Sequence, residues 1–151
     1  MSFFGDLIGG KAAKRASEFN AKIDENNKKI KDMEAEQIMS IHNDFNVPKF
    51  DKTSDQILGR TKVYYLKSGA TLEGTPVEAI YETALELETD KDIMQFNAEN
   101  AEIQKINEGI MLQASADLER WRGKVAKKTS YFQAGTSLLS TVTSLKTAGF
   151  F

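Results

Sequence analysis

The chain has no cysteine and one histidine, His42, among its 151 residues. Disulfides, thiolate metal sites and thiol nucleophiles are therefore excluded, and one histidine cannot form a histidine-based metal cluster. Long apolar runs are also missing, because no window reaches the roughly 18 uninterrupted apolar residues of a membrane-spanning helix. We expect no bound cofactor. Since no element predicts a cleft with paired carboxylates, we also expect no catalytic activity such as cell-wall hydrolysis.

Signs of export and of overall basicity are lacking too. No basic stretch precedes the apolar N-terminal residues, and the segment Phe3–Ile8 is interrupted by Gly5 and Asp6. We therefore expect synthesis without a secretory signal. The formal net charge is -2, so the chain as a whole is not expected to wrap duplex nucleic acid. An anionic partner would have to meet a local basic patch.

Charged residues make up 28% of the chain, and in the first third they surround regularly spaced apolar residues. Spacings of three, four and seven predict a first helix over residues 11–46, after an apolar segment over residues 1–10. The apolar stripe is narrow and includes amides, which is typical of a coiled-coil contact. Asn26 either fixes the register of that contact or lies in a hydrated part of it. The members of the stripe are Phe19, Ile23, Asn26, Ile30, Met33, Gln37 and Ile41.

Pro48 predicts the end of this first helix, because proline disfavours helical geometry in the preceding residue and has no N–H. A polar linker over residues 49–54 is expected next. Ser54 or Asp55 would then cap a short helix, so that residues 47–75 form a linker, a short helix and a turn. The run Val63–Leu66 also fits a short strand, but no partner strand is near in the sequence and a helix is favoured.

The stretch SGATLEGTP combines a helix stop with a helix start. Gly69 suits the left-handed residue that follows a helix, and Gly74 provides a turn. Thr75 is predicted as the N-cap of the next helix, Pro76 as its first residue and Glu78 as the partner in a capping box. This pattern predicts a corner between two helices. The glycine spacing matches no phosphate-binding loop.

A long helix is predicted over residues 76–133, because no proline occurs there and the apolar residues keep helical spacing. At 1.5 Å per residue it would be roughly 85 Å long, and its apolar stripe must meet the first helix, further copies of the chain or another protein. Gly109 and Gly123 are expected to be kinks or points of close contact. The predicted fold is all-α: an elongated helical hairpin with a long C-terminal helix, not a compact globular domain.

Three groups of residues are candidate contacts with partners. The first is an oligomer seam from both long helices: Phe19, Ile23, Asn26, Ile30, Met33, Ile80, Ala84, Leu87 and Met94. The second is a basic run with a tryptophan: Arg120, Trp121, Arg122, Lys124, Lys127 and Lys128. The third is the apolar residues at the two ends: Phe3, Phe4, Leu7, Ile8, Leu138, Leu139, Val142, Leu145, Phe150 and Phe151.

The basic run and the apolar ends each have two interpretations. Basic residues late in a helix suit the helix dipole and a solvated face, or they contact phosphates of DNA or of lipid headgroups with Trp121 as an anchor. The segment 134–151 contains one charge, Lys146, and many small residues that permit close approach of helices, either in an oligomer or in a membrane.

The run SGATLEGTP, followed by Thr83-Ala84, Glu88 and Asp90, resembles a segment written roughly S-G-V-x-x-x-G-S-P in internal virion proteins of short-tailed, podovirus-type phages. The resemblance extends over residues from about 11 to 141. It includes the Asn-rich, Lys/Glu-rich first helix, Asn97, and an Ala-Gly-Thr-Ser-Leu-Leu run where the family has Gly-Ser-Leu-Leu. Ala70 and Thr75 replace the commoner valine and serine, and the predicted capping is unchanged.

This resemblance implies a small DNA-ejection protein. Proteins of the family are packaged inside the capsid near the portal as part of an internal core, leave the particle at infection and reassemble in the host envelope as a channel for the genome. The implied partners are further copies of the chain, other internal virion proteins and the portal, with the host outer membrane and packaged DNA as further expected contacts. The alternative is a helical core or adaptor protein that acts only through protein–protein contacts.

Overall fold

A computed structural model of the protein describes residues 3–69, 71 and 73–147, with side chains described over residues 7–69, 71 and 73–139. The described residues form helix α1 at Phe3–Ile41, a π-helical turn at His42–Asn46, helix α2 at Val47–Lys67 and helix α3 at Thr75–Thr147. This part of the chain contains no strand. The predicted all-α helical hairpin with a long C-terminal helix is confirmed, and so is the choice of helix for the run Val63–Leu66.

The helix does not stop at Pro48, so the predicted boundary and the linker over residues 49–54 are wrong. A π-helical turn of five residues lies before the proline, and the N–H of Val47 donates to the carbonyl of His42. A π-helical turn inserts one extra residue, which makes room for a ring that cannot donate a hydrogen bond and would clash with the preceding turn. Pro48 then occupies the first turn of α2, where its missing N–H costs little.

The corner between α2 and α3 contains the two predicted glycine positions. Gly69 has a φ of 77° and Gly74 a φ of 66°, both in the left-handed region that favours glycine. The predictions of Thr75 as N-cap and Pro76 as first helical residue are each wrong by one residue, and the capping box of Thr75 with Glu78 does not form. The N–H groups of Val77 and Glu78 both donate to the carbonyl of Gly74, so Gly74 is the cap and Thr75 lies inside α3. Glu78 remains in the first turn, where a negative charge suits the helix dipole.

The apolar segments 1–10 and 134–151 were delimited from the two predicted long helices, but in their described residues the helices continue through them. Helix α1 already begins at Phe3 and passes through Gly9 and Gly10. Helix α3 is uninterrupted through Gly109 and Gly123 and continues to Thr147. Close packing of Gly10 and Gly123 against the other helix explains why glycine is accommodated inside these helices.

The chain divides into two units. The first comprises Met1–Ile30 and Glu108–Phe151, and the second Lys31–Asn107. In the first unit α1 and α3 run antiparallel, since Gly10 lies against Ser130, Gly123 against Ser17, and Ser115 donates to Asp24 over 2.7 Å.

The second unit is also an antiparallel pair of helical segments. Three contacts order it: Lys105 Nζ lies 3.0 Å from Glu34, His42 Nε2 lies 2.6 Å from Gln95 Oε1, and Lys91 Nζ lies 2.7 Å from Asp51. As the residue number rises on one side it falls on the other. The first segment passes through the π-helical turn into α2, and the second is the N-terminal half of α3.

The core consists of small residues. In the part of the chain whose side chains are described, the buried residues are Gly10, Ala21, Ala35, His42, Gly109, Ala116, Gly123, Ser130 and Ala134. His42 is the largest of them, and no described leucine, isoleucine, phenylalanine or tryptophan is fully buried. Close approach of backbones, rather than burial of large side chains within one chain, therefore holds the helix pair together.

Candidate functional site

A repeat of small residues forms the contact between α1 and α3 in the first unit. Gly109, Ala116, Gly123 and Ser130 recur at intervals of seven residues and are all buried. A β-carbon added at Gly123 would lie 2.9 Å from the Ser17 β-carbon and 3.5 Å from the Lys14 α-carbon. We call Gly109, Ala116, Gly123 and Ser130 the inner seam of α3. Its seven-residue period is present in the sequence, but its members are small residues and do not contribute to the pattern of large apolar residues.

The opposite side of α3 carries large apolar residues with the same period. Met111, Leu118, Val125, Phe132 and Leu139 recur every seven residues, and the first four each follow an inner-seam residue by two positions. Two residues advance about 200° around an α-helix, so these side chains lie opposite the inner seam, with Val125 also bordering a depression that includes Lys14 of α1. All five are exposed, with 73% of Met111 and 78% of Phe132 accessible. We call these five residues, with Trp121, the outer stripe of α3.

Helix α1 also has an exposed apolar stripe, and it coincides with the predicted seam on that helix. Phe19 precedes buried Ala21 by two residues and Ile23 follows it by two, which places both on the side of α1 opposite Ala21, with Ile23 also bordering a depression lined by Ser115 and Glu119 of α3. Ile30 and Asn26 share that side, and all four side chains are exposed. We call Phe19, Ile23, Asn26 and Ile30 the outer stripe of α1. Met33, farther along α1, is exposed too.

The α3 residues of the predicted seam belong to a different surface. In the second unit Ile80, Ala84, Leu87 and Met94 are all half-buried. Met94 lines a depression together with Phe50 and Lys49 of α2. These residues therefore lie on the packed side of the second unit, and their contact with another copy stays a prediction. A single stripe of apolar residues in the sequence does not separate intrachain from interchain contacts.

The two arginines of the predicted basic run are paired with acids. Arg120 contacts Glu25 of α1 and also lies 3.4 Å from Asp117, and the hydrogen bond to Glu25 is the main reason that its pKa is raised. Arg122 Nη1 donates to Glu119 over 2.9 Å. These carboxylates offset the positive charge with which the two arginines would otherwise bind a phosphate.

The other members of the basic run surround a surface depression of about 300 Å³. Its lining is Lys14, Trp121, Lys124, Val125, Lys127 and Lys128, which we call the lysine–tryptophan depression. Lys127 Nζ lies 5.7 Å from the centre of the Tyr131 ring, a cation–π distance. Lys14 was missed in the sequence because it is more than one hundred residues away on α1, and only the antiparallel fold brings it to α3.

The acidic residue Glu18 offsets part of the positive charge of these lysines. Lys14 Nζ lies 3.0 Å from Glu18. The pKa of Glu18 is lowered first by its hydrogen bond and charge interaction with Lys14, then by the charges of Lys22 and Lys127. The Glu18 carboxylate is therefore ionised at neutral pH and offsets one positive charge. The lysines that line the depression still give it a net positive charge.

Charge is divided unevenly between the two units. The sequence of the first unit contains twelve Lys and Arg and seven Asp and Glu, a net charge of +5. That of the second contains eight Lys and Arg and fifteen Asp and Glu, a net charge of -7, so that the two add to the -2 of the chain. The basic character that the overall composition hides is thus concentrated in the first unit.

Comparisons of this chain with protein-family models, with curated proteins and with solved structures find no match.

The buried histidine is part of a polar chain in the second unit. His42 is 1% exposed and its Nε2 donates to Gln95 Oε1, while the amide nitrogen of Gln95 donates to Glu99 over 2.6 Å. Nδ1 of His42 is buried without a hydrogen-bond partner among the described residues. No sequence pattern predicts the burial of His42, because that burial depends on the π-helical turn that begins at this residue.

The apolar ends are described only in part. Leu7 is half-buried, and Ile8, Leu138 and Leu139 are exposed. The side chains of four further candidates and all of the last two lie outside the described residues: Phe3, Phe4, Val142, Leu145, Phe150 and Phe151. In the part of the chain that the structure describes, no helix is apolar enough over a sufficient length to cross a membrane. The described residues likewise contain no cluster of three or more acidic or histidine side chains that would hold a metal ion.

Proposed function

We propose that this chain is an oligomeric structural protein of a short-tailed phage particle, held inside the virion near the portal and released to help form a channel for the genome through the host envelope. The sequence of the helix corner motivates the assignment to phage internal proteins. The distribution of apolar and basic side chains supports an assembly role. The proposed partners are further copies of the chain, other internal virion proteins and the portal.

The observation that carries the proposal is the exposure of the large apolar side chains. The helices pack through glycine, alanine and serine, while Phe19, Leu118 and Phe132 remain accessible to water. Burying apolar surface is worth about 25 cal/mol per Å², and a contiguous apolar face on a helix usually marks a binding surface. A protein whose helices keep their larger apolar faces outward is suited to assembly with other chains.

The concentration of basic charge supports a contact with phosphates. The first unit has a net charge of +5, and four lysines surround Trp121 in the lysine–tryptophan depression. Ammonium groups bind phosphate as point charges, and a tryptophan next to them can stack on a base or lie at a lipid interface. Packaged DNA and envelope lipids are the two sources of phosphate that the proposed role supplies.

A core or adaptor protein without lipid contact is the second candidate function. The seven-residue period of the outer stripe of α3 favours it, because this period is typical of contacts between helices. In that role the apolar residues near the ends, including Leu138 and Leu139, would be covered by other virion proteins.

Flotation with anionic lipid vesicles separates the two candidates. The ejection function predicts that the full chain floats at low salt, that a Leu138→Ser/Leu139→Ser variant floats less, and that a Leu85→Ser control in the second unit floats like the parent. If the full chain is oligomeric yet stays with the soluble fraction, the adaptor function replaces it. A compact monomer at micromolar concentration would contradict both.

A further inference from the structure

The lysine–tryptophan depression joins the two helices of the first unit at one charged surface. Its lining comes from α1 at Lys14 and from α3 between Trp121 and Lys128. We propose that this depression binds single-stranded nucleic acid, with its lysines on the backbone phosphates and the Trp121 ring stacked on an unpaired base. This inference rests on the phosphate contact of the proposed function and deepens it by naming the ligand.

The polar side chains that line the depression select an anion. Four of the six lining residues are lysines, and none of the six is acidic. Glu18 lies 3.0 Å from Lys14 and offsets one of these charges. An ammonium group has hydrogen-bond donors and no acceptor. Successive phosphates match the remaining positive charge better than a single carboxylate does, because every phosphate along a nucleic-acid strand carries a negative charge.

The apolar part of the depression is suited to a base. Trp121 remains 61% exposed within a lining of lysines, and Val125 lies beside it one turn farther along α3. Proteins that bind single strands combine a basic groove with aromatic side chains, because every base has a π-face on which such a ring stacks. In a duplex each base is already stacked between its neighbours, so the contact with Trp121 selects an unpaired strand.

The surface continues along α3 as binding of a strand requires. Lys128 follows Trp121 by seven residues and Phe132 follows Lys128 by four, so all three lie on one side of the helix. Phe132 is also exposed, and at 1.5 Å per residue it lies about 16 Å from Trp121 along the axis. Lys124 and Lys128 lie between the two rings in the sequence. This alternation of aromatic and basic residues suits a strand better than an isolated phosphate.

A lipid surface explains the same arrangement less well. Helices that lie in a lipid interface keep their charged residues on one face and their apolar residues on the other. Because Lys128 shares a side of α3 with Trp121 and Phe132, burial of both rings among acyl chains would bring the ammonium group towards the same depth. A nucleic-acid strand needs no such separation, since its phosphates and bases alternate. The position of Lys128 therefore favours the strand.

Pairing of α1 with α3 completes the depression. A β-carbon added at Gly123 would lie only 3.5 Å from the α-carbon of Lys14, so this glycine lets the lysine of α1 approach the lysines of α3. A strand in the depression would then contact both helices. We expect an oligothymidylate to raise the thermal midpoint of the full chain, because it binds the paired helices more tightly than the unfolded chain.

Intrinsic fluorescence tests the proposal directly, because Trp121 is the only tryptophan of the chain. The full chain is titrated with a short oligothymidylate, with a DNA duplex of the same length and with phosphatidylglycerol vesicles. The oligothymidylate should quench the Trp121 emission more strongly at saturation than the duplex does, since only an unpaired base stacks on the ring. Anisotropy of the labelled oligothymidylate and duplex gives the Kd for each variant.

Trp121→Ala should raise the Kd for the oligothymidylate by about fivefold or more and leave the Kd for the duplex unchanged. Trp121→Phe keeps an aromatic ring and should recover most of the affinity. Tyr64→Ala is the matched control and should bind like the parent, because Tyr64 is 71% exposed beside Arg60 and Lys67 in a depression on α2. Lys128→Ala should lower the dependence of log K for the oligothymidylate on log salt by about 0.7. Circular dichroism verifies the helix content.

Unchanged oligothymidylate binding by Trp121→Ala would overturn the inference and leave a contact with phosphates alone, as the proposed function requires. Equal weakening by Trp121→Ala and Tyr64→Ala would overturn it in favour of diffuse binding to exposed rings. Quenching by the vesicles but not by the oligothymidylate would overturn it and identify lipid phosphates as the ligand. If none of the three probes binds, the inference and the phosphate contact both fail, whereas the oligomeric function is judged separately by the mass of the chain in solution.

Discussion

Gly123 of α3 lies so close to Ser17 of α1 that a β-carbon added there would stand 2.9 Å from the β-carbon of the serine. This separation is shorter than van der Waals contact, and the α-carbon of Lys14 would be only 3.5 Å away. The relationship explains how two helices with few buried large side chains remain paired. Backbone proximity at a glycine allows many small dispersion contacts along the inner seam.

The first prediction concerns this close approach. Gly123→Ala should lower the thermal midpoint of the full chain. The new methyl group forces the helices apart, and the free energy of packing lost in this way exceeds the gain from the higher helix propensity of alanine. Gly59→Ala is the matched control inside α2, where an added β-carbon meets nothing within 4 Å. It should raise the free energy of unfolding by roughly 0.5–1 kcal/mol. Stabilisation by both substitutions would contradict a tightly packed inner seam.

The buried histidine gives the second prediction. His42→Ala should reduce the free energy of unfolding by about 1–3 kcal/mol, because it leaves a cavity and removes the donor from which the side-chain oxygen of half-buried Gln95 accepts. Asn43→Ala, at the exposed neighbouring position, should change it little. Urea denaturation followed by circular dichroism compares the two variants. Equal effects would mean that the contact between His42 and Gln95 does not contribute to stability.

The third prediction is a dependence of stability on pH. The pKa of Glu34 is lowered by hydrogen bonds from Lys105 and then Lys31. A carboxyl whose pKa is lower in the folded state stabilises the fold above its ordinary pKa, and this contribution is lost as the pH falls through the folded value. Urea denaturation at neutral pH and at successively lower pH should show this loss in the parent.

A matched pair of variants isolates that loss. Glu34→Gln should be less stable than the parent at neutral pH, and the difference should shrink as the solution is made acidic. Glu36→Gln, an exposed position on the same helix, is the control and should follow the parent curve. A constant difference between Glu34→Gln and the parent at every pH would show that the ion pairs with Lys105 and Lys31 do not carry the effect.

The fourth prediction addresses the lysine–tryptophan depression. Lys128→Ala should weaken binding of a duplex DNA fragment and reduce the dependence of log K on log salt by about one unit, as loss of one phosphate contact does. Lys62→Ala, an exposed lysine of α2 outside the depression, is the control. Equal loss with both variants would indicate a diffuse charge effect, and unchanged binding with Lys128→Ala would remove this residue from the proposed contact.

Helical periodicity and turn chemistry were enough to predict the helices and the corner. The spacing of apolar residues identified α1 and α3, and Gly69 and Gly74 have the left-handed backbone that their turn requires. The continuation of the helix through Pro48 was not predictable in the same way, because a π-helical turn compensates for the proline and leaves no local signature in the sequence. Local rules fail there because the compensation involves the preceding five residues.

The candidate contacts were predicted less completely. Phe19 and Ile23 form an exposed stripe as a partner surface requires, but Ile80 and Met94 lie on the packed side of the second unit. Period alone cannot distinguish these cases, since both surfaces have the same spacing. The inner seam escaped notice because glycine and alanine contribute little to a hydrophobic pattern, although they determine how closely the helices approach.

Self-association of the full chain is the central claim, and the mass of the protein in solution tests it most directly. Light scattering or sedimentation across the micromolar range should give a multiple of the 16.8 kDa chain mass, with the larger species favoured at high concentration. A single species of 16.8 kDa over the whole range, with full helix content, would contradict the account.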